Sequence, residues 1–310
     1  MAGSGHGNKA IIAAFFANLG IAISKFFGFI ITGSGSMLAE GVHSVADTGN
    51  QALLLLGGRK ARRPASPEHP FGYGRERYFW SFVVAMVLFA LGSAFALYEG
   101  FQKLRHPHEI ESPELAIGIL AVAIVLESLS FRTAIRESRQ VKGEASWWQF
   151  VRRAKIPELP VVLLEDLGAL LGLVIAMGAV TATVATDDTV YDASGTLVIG
   201  VLLGIIAAIL AVEMKGLLIG ESASPAVQQR IQTAIEAQEP VRRVIHLRTQ
   251  HLGPEELLVG AKIEFVSDLS VTELSDAVNR VETAVREAVP AARVMYLEPD
   301  VMRTADSALA

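Results

Sequence analysis

The sequence predicts an α-helical membrane protein with six transmembrane helices in residues 1–220, followed by a small cytoplasmic α+β domain in residues 221–310. Three observations carry this. Of the 310 residues, 51% are apolar and the mean hydropathy is +0.41, too apolar for an ordinary water-soluble chain. Asp, Glu, Lys and Arg are sparse over long stretches, yet after Gly220 they occur at the density of a normal soluble surface. A bilayer-spanning helix needs roughly 20 mostly apolar residues, and six segments supply them, at 10–31, 37–58, 79–103, 113–136, 157–181 and 191–218.

The first segment follows MAGSGHGNKA, which lacks the charged start and the cleavage site of a signal peptide, so a retained first helix is expected. Only Thr32-Gly33-Ser34-Gly35-Ser36 separates it from the second segment, which requires a tight antiparallel hairpin. Lysine and arginine accumulate on the cytoplasmic side of membrane proteins. Here Arg59, Lys60, Arg62, Arg63, Arg75 and Arg77 lie between the second and third segments. Arg132, Arg136, Arg139, Lys142, Arg152, Arg153 and Lys155 flank the connection from fourth to fifth, against Lys103 and Arg105 on the other side. Both termini are therefore expected in the cytoplasm.

Past Gly220, Ser224-Pro225 pairs a helix-capping serine with a proline at the first helical position, opening a helix to about Ala237. Residues 241–249 and 256–266 read as strands, the second with Leu257, Val259, Ala261, Ile263 and Phe265 at alternate positions. Ser270-Val271-Thr272-Glu273 is a capping box that opens a helix to about Val289, and 292–297 makes a last strand. The order is αββαβ. A net charge of −5 offers no basic footprint for nucleic acid, and the absence of cysteine excludes disulfides and thiolate metal ligands.

An ionisable side chain inside a membrane is costly and marks function by default. In the second segment His43 and Asp47 are four residues apart, on one helix face. In the fifth, Glu165 and Asp166 are adjacent within VVLLEDLGALLG. An imidazole and carboxylates from two helices suit a borderline divalent ion, Zn²⁺ above all, and binding to these groups releases protons. Glu165 has a second reading, a buried acid paired with a loop arginine. Lys25 either snorkels or neutralises a carboxylate, and Asn18 and Asn50 suit hydrogen bonds between helices.

The chain resembles the cation diffusion facilitator family of proton-coupled zinc and manganese exporters. The resemblance rests on TGSGSMLAEGVHSVADTGNQ across the first hairpin, HPFGYGRERYFW ahead of the third segment and LLEDLGALLG in the fifth. The EDLGAL and LESLSF stretches resemble the branch with the mitochondrial-type zinc transporter of eukaryotes and its bacterial relatives. The resemblance implies a homodimer, a tetrahedral site between the second and fifth helices, exchange of metal for protons by alternating access, and a metallochaperone-like cytoplasmic domain. It places ligands at His43, Asp47 and Asp166. The remaining ligand position falls on Val162, which has no donor, leaving a water, Glu165 or Glu127 of LESLSF to complete the shell. Arg75 and Glu221 fall where family members interlock their protomers.

At the loop site known in other members, His69 matches one ligand but Tyr73 replaces a second histidine. In the cytoplasmic domain His246, His251 and Glu298 lie near the expected metal region, but Lys262 and Tyr296 stand where zinc-binding members have histidines. Dimerisation is the expected role of that domain. The expected function is secondary active export of Zn²⁺ in exchange for protons, from a multi-pass protein of a bacterial inner membrane. The rivals are Mn²⁺ or Fe²⁺ export and a non-transporting membrane adaptor with a degenerate site. No cofactor is expected besides the transported ion. With no nucleophile paired with a base, an enzyme is not expected.

Overall fold

The computed structural model describes residues 3–32, 35–107 and 113–302, with side chains from Ile11 onward except at positions 17, 25, 28, 29, 31–43 and 46. Lys25 is thus outside the described side chains. The chain divides into two compact units. The first holds Met1–Arg63 and Glu76–Lys215, and the second holds Pro64–Arg75 and Gly216–Ala310.

A helix covers each of the six apolar segments of the first unit: α1 (Gly3–Thr32), α2 (Gly35–Lys60), α3 (Glu76–Val87) running through a π-helical stretch (Leu88–Ala94) into α4 (Phe95–Arg105), α5 (Pro113–Lys142), α7 (Glu158–Thr186) and α8 (Val190–Ile219). A short α6 (Trp147–Arg153) lies between α5 and α7. Among the described residues four stretches are long and apolar enough to cross a membrane: Glu76–Arg105, Pro113–Lys142, Glu158–Thr186 and Val190–Ile219. Among the described residues α1 contributes a shorter apolar stretch, Ile11–Ser24. Glu40, His43, Asp47, Arg59 and Lys60 lower the hydropathy of α2.

Helix α1 packs on α2, α5 and α7, α5 also packs on α7, and α2 packs on α3. The α2–α3 contact is tight where Gly57 faces Trp80: a Cβ on Gly57 would lie 2.8 Å from the Trp80 Cβ. Trp80 is fixed by its indole N–H donating to Glu76 (2.7 Å), with the Lys60 ammonium 4.8 Å from its ring centre. Helix α8 approaches α4 and α7 through small residues, the usual route to close backbones in helices of this composition. Gly200 faces Leu97, Gly100 faces Leu197, and the Ser93 hydroxyl of the π-helical stretch donates to the Gly200 carbonyl at 2.8 Å. Towards α7, Gly168 leaves room for Ile206 and Leu203, two residues past Asp166. At the other end of α4, Lys103 pairs with Asp192 at 2.9 Å.

The second unit contains α9 (Pro225–Glu236), β1 (Val241–Gly253), β2 (Glu256–Phe265), α10 (Val271–Ala288) and β3 (Val294–Pro299). The sheet order is β1-β2-β3, antiparallel between β1 and β2 and parallel between β2 and β3. The alternating residues Leu257, Val259, Ala261, Ile263 and Phe265 are all buried, packed with Ile231 and Ile235 of α9 and Val281 and Val285 of α10. Both N-terminal signals sit where expected. Ser270 and Glu273 form the capping box, with the Ser270 N–H donating to Glu273 at 2.8 Å. The Ser270 hydroxyl and N–H hold the Glu273 carboxyl below its ordinary range. That contribution is present above the ordinary glutamate value and is lost as pH falls through the lowered one. Ser224 occupies the cap of α9 without a side-chain bond, and Pro225 follows it. Strand β1 runs four residues beyond the predicted end at Thr249, because the β1–β2 pairing continues through Gln250↔Leu258 to Gly253↔Glu256. The 64–75 loop belongs to this unit because Gly74 meets the tip of the hairpin. A Cβ there would lie 2.7 Å from the Leu252 carbonyl oxygen and 3.0 Å from the Gly253 Cα.

Candidate metal centre

The polar groups of the first unit converge on the first half of α7. Glu158, Leu159, Pro160, Val161, Val162, Leu163, Glu165 and Asp166 are all buried, so a carboxylate there must find its partners inside the protein. Asp166, 1% exposed, accepts a hydrogen bond from the Ser130 hydroxyl of α5 at 2.8 Å. Glu165, 5% exposed, points to α2 instead. Its Oε1 accepts from the Asn50 side-chain amide at 3.0 Å and its Oε2 from that of Gln51 at 2.8 Å. The two acids are successive residues, about 100° apart around the helix, which is why one turns to α5 and the other to α2.

Asp47 lies half-buried on α2, close enough to act electrostatically on both Glu165 and Asp166. His43 is in α2, one turn before Asp47, but its side chain lies outside the described residues. Among the described residues no three His, Asp or Glu side chains form a group placed to hold one ion. Glu127 is buried on α5, one turn before Ser130. Val162, 1% exposed, presents only an aliphatic side chain.

Gln51 and Ser130 are the groups sequence reasoning missed. An amide or hydroxyl does not stand out in an apolar run as an ion does, although the consecutive Asn50-Gln51 pair, three and four residues beyond Asp47, was a usable signal. Asn50 does bond between helices, as its position suggested. The alternative partner for Glu165, a loop arginine, is not what the structure has: amides occupy both oxygens. The arginine goes to another acid. Arg77, at the start of α3, makes a bidentate pair with Glu158 at the start of α7, with Nε–Oε1 2.5 Å and Nη2–Oε2 2.7 Å.

In the second unit, His69 stacks edge-on against Tyr73 at 4.6 Å, and the Tyr73 hydroxyl is hydrogen-bonded to Ser66. His246 pairs with Lys262 across β1 and β2 and lines a groove of about 290 Å³ with Arg248, Tyr296 and Glu298. The Lys262 ammonium bridges Asp300 at 2.9 Å and Glu298 at 3.1 Å. These hydrogen bonds, Asp300 first, hold its pKa above the ordinary lysine value, so the contribution of the bridge is fully present below that ordinary value and is lost as pH rises through the raised one. An ammonium thus already neutralises carboxylates that might otherwise draw a metal. His251 is buried in β1, where its backbone N–H donates to the Glu221 backbone carbonyl at 2.9 Å.

Two family descriptions match the chain: "Cation efflux transmembrane domain" over residues 11–219 and "Cation efflux protein, cytoplasmic domain" over residues 223–296. Among curated proteins, the chain is 36% identical to the mitochondrial proton-coupled zinc antiporter SLC30A9 of Xenopus laevis, over 83% of this chain and 46% of that protein. It is 30% identical to metal tolerance protein C4 of Arabidopsis thaliana, over 90% of this chain and 62% of that protein. It is 23% identical to the magnetosome protein MamB of Paramagnetospirillum magneticum, over 92% and 90% of the two chains. The chain thus spans about half the length of the zinc antiporter it matches.

Proposed function

The chain belongs to the cation diffusion facilitator family, and on that footing we propose that it is a proton-coupled exporter of a divalent metal ion, Zn²⁺ first. The observation that carries this reading is the pair of buried acids Glu165 and Asp166 on α7, hydrogen-bonded through Glu165 to the helix α2 that carries His43 and Asp47, in the interior of an apolar helical unit. Such a cluster calls for exchangeable positive charge, and a metal ion alternating with protons supplies it. The relatives named as proton-coupled zinc antiporters support the choice of zinc and of protons.

In this account His43, Asp47 and Asp166 bind the ion, and the histidine and carboxylates also carry the returning protons. Glu165 and Glu127 are the two candidates for the donor missing at Val162. The six long helices all span the bilayer, α1 and α2 included, with both termini in the cytoplasm of a bacterial inner membrane. The second unit joins two protomers into a homodimer. Alternating access swings α1, α2, α5 and α7 against the α3–α4 span and α8.

The test is uptake of Zn²⁺, Mn²⁺ and Fe²⁺, in competition, into vesicles containing the reconstituted protein. Zinc is expected to be taken up preferentially, and Asp47→Ala and Asp166→Ala are each expected to reduce uptake to the level of empty vesicles. Preference for Mn²⁺ or Fe²⁺ would change the cargo. Variants as active as the wild type would remove the site assignment.

A further inference from the structure

We infer that Asn50 and Gln51 are positioning residues of the transport site, whose side-chain amides hold Glu165 as the carboxylate that replaces the donor missing at Val162. This rests on the transport reading above and decides between its two candidate glutamates.

Spacing is the first support. Asn50 and Gln51 are three and four residues beyond Asp47, so both neighbour it on the surface of α2. A carboxyl group held by this pair is drawn towards the Asp47 side of α2. On α7, Glu165 is three residues beyond Val162 and is therefore its neighbour on the helix surface. Moving the donor from 162 to 165 shifts it by less than one turn, which the longer glutamate arm can cover.

The chemistry of the clamp is the second support. An arginine on Glu165 would cancel its charge and compete with a metal ion. Two amides fix the carboxyl group by one hydrogen bond per oxygen and bring no cation that would compete with a metal ion. Each oxygen keeps a further lone pair for a cation. Ligating carboxylates are commonly oriented by such outer hydrogen bonds.

The cost of the arrangement is the third. Asn50 and Gln51 are 2% and 0% exposed, and with both amide nitrogens committed to Glu165, Asn50 Oδ1 and Gln51 Oε1 are buried with no hydrogen-bond partner among the described residues. Buried unsatisfied carbonyls oppose stability. Their retention in the interior is accounted for by the hold that the same two amides have on Glu165.

The experiment is calorimetric titration of the full chain in detergent with Zn²⁺, with thermal unfolding recorded for each variant. Glu165→Gln is expected to weaken zinc binding about tenfold or more. Asn50→Ala and Gln51→Ala are each expected to weaken it several-fold in the wild-type background and to add nothing in the Glu165→Gln background, since they act through Glu165. Val162→Asp is expected to restore binding to Glu165→Gln. If Glu165→Gln does not fold, Glu165→Asp serves instead; its shortened arm is expected to cost several-fold in affinity. Wild-type affinity in Glu165→Gln with a lowered melting temperature would make the clamp purely structural and overturn the inference. Additive losses, or no recovery with Val162→Asp, would overturn it as well. A wild-type chain that binds no Zn²⁺, Mn²⁺ or Fe²⁺ would instead overturn the transport reading, and this inference with it.

Discussion

Glu165 and Asp166 are consecutive buried acids, each held by neutral donors from a different helix: Asn50 and Gln51 of α2 for the first, Ser130 of α5 for the second. The Ser130 bond fixes one oxygen of Asp166, and in the proposed transport site the other oxygen meets the ion. Ser130→Ala is therefore expected to weaken zinc binding about tenfold, by loosening a ligand without removing it, and calorimetry on the purified variant measures this. The acids themselves were legible, because an ionised group in an apolar run stands out against the cost of burying it. The neutral donors were not. Gln51 lies 114 residues from its partner, and nothing local marks a glutamine as a carboxylate clamp. Arg77 was read from the sequence as one of the loop cations, whereas its side chain is 11% exposed and bound to Glu158.

The Arg77–Glu158 pair ties the start of α3 to the start of α7, the helix that carries the acids. Removing one partner from a buried pair leaves the other charge uncompensated, so Arg77→Ala or Glu158→Ala is expected to cost about 3–5 kcal/mol. Replacing both by apolar residues of similar size, Arg77→Met with Glu158→Leu, is expected to be close to neutral in stability. Thermal and denaturant unfolding in detergent would separate the two results. The helices themselves were legible from runs of apolar residues, and the strand pattern of β2 from its alternation. The π-helical stretch Leu88–Ala94 was not: nothing in its apolar composition marks the change of winding, and its Ser93 meets the Gly200 carbonyl of a helix more than a hundred residues away. The extension of β1 to Gly253 likewise depends on pairing with β2 rather than on its own composition.

At the scale of the whole chain, an apolar helical unit carries the buried acids and a polar unit carries an αββαβ fold. The sequence showed the change of texture at Gly220. It did not show that residues 64–75, far earlier in the chain, fold with the second unit, because that association depends on the backbone approach of Gly74 to Gly253. The second unit meets its own charges internally, with Lys262 on Asp300 and Glu298, so the metal chemistry of the account rests on the helical unit. There the central claim is exchange: a cation enters the Asp47, Glu165 and Asp166 cluster as protons leave it. The most direct measurement uses vesicles containing the wild-type protein, with a zinc indicator and a pH indicator inside. A zinc pulse is expected to produce zinc entry together with proton exit, and an outward proton gradient is expected to drive zinc above its equilibrium level. Zinc entry that leaves the internal pH unchanged and ignores the proton gradient, or no zinc entry at all, would contradict the account.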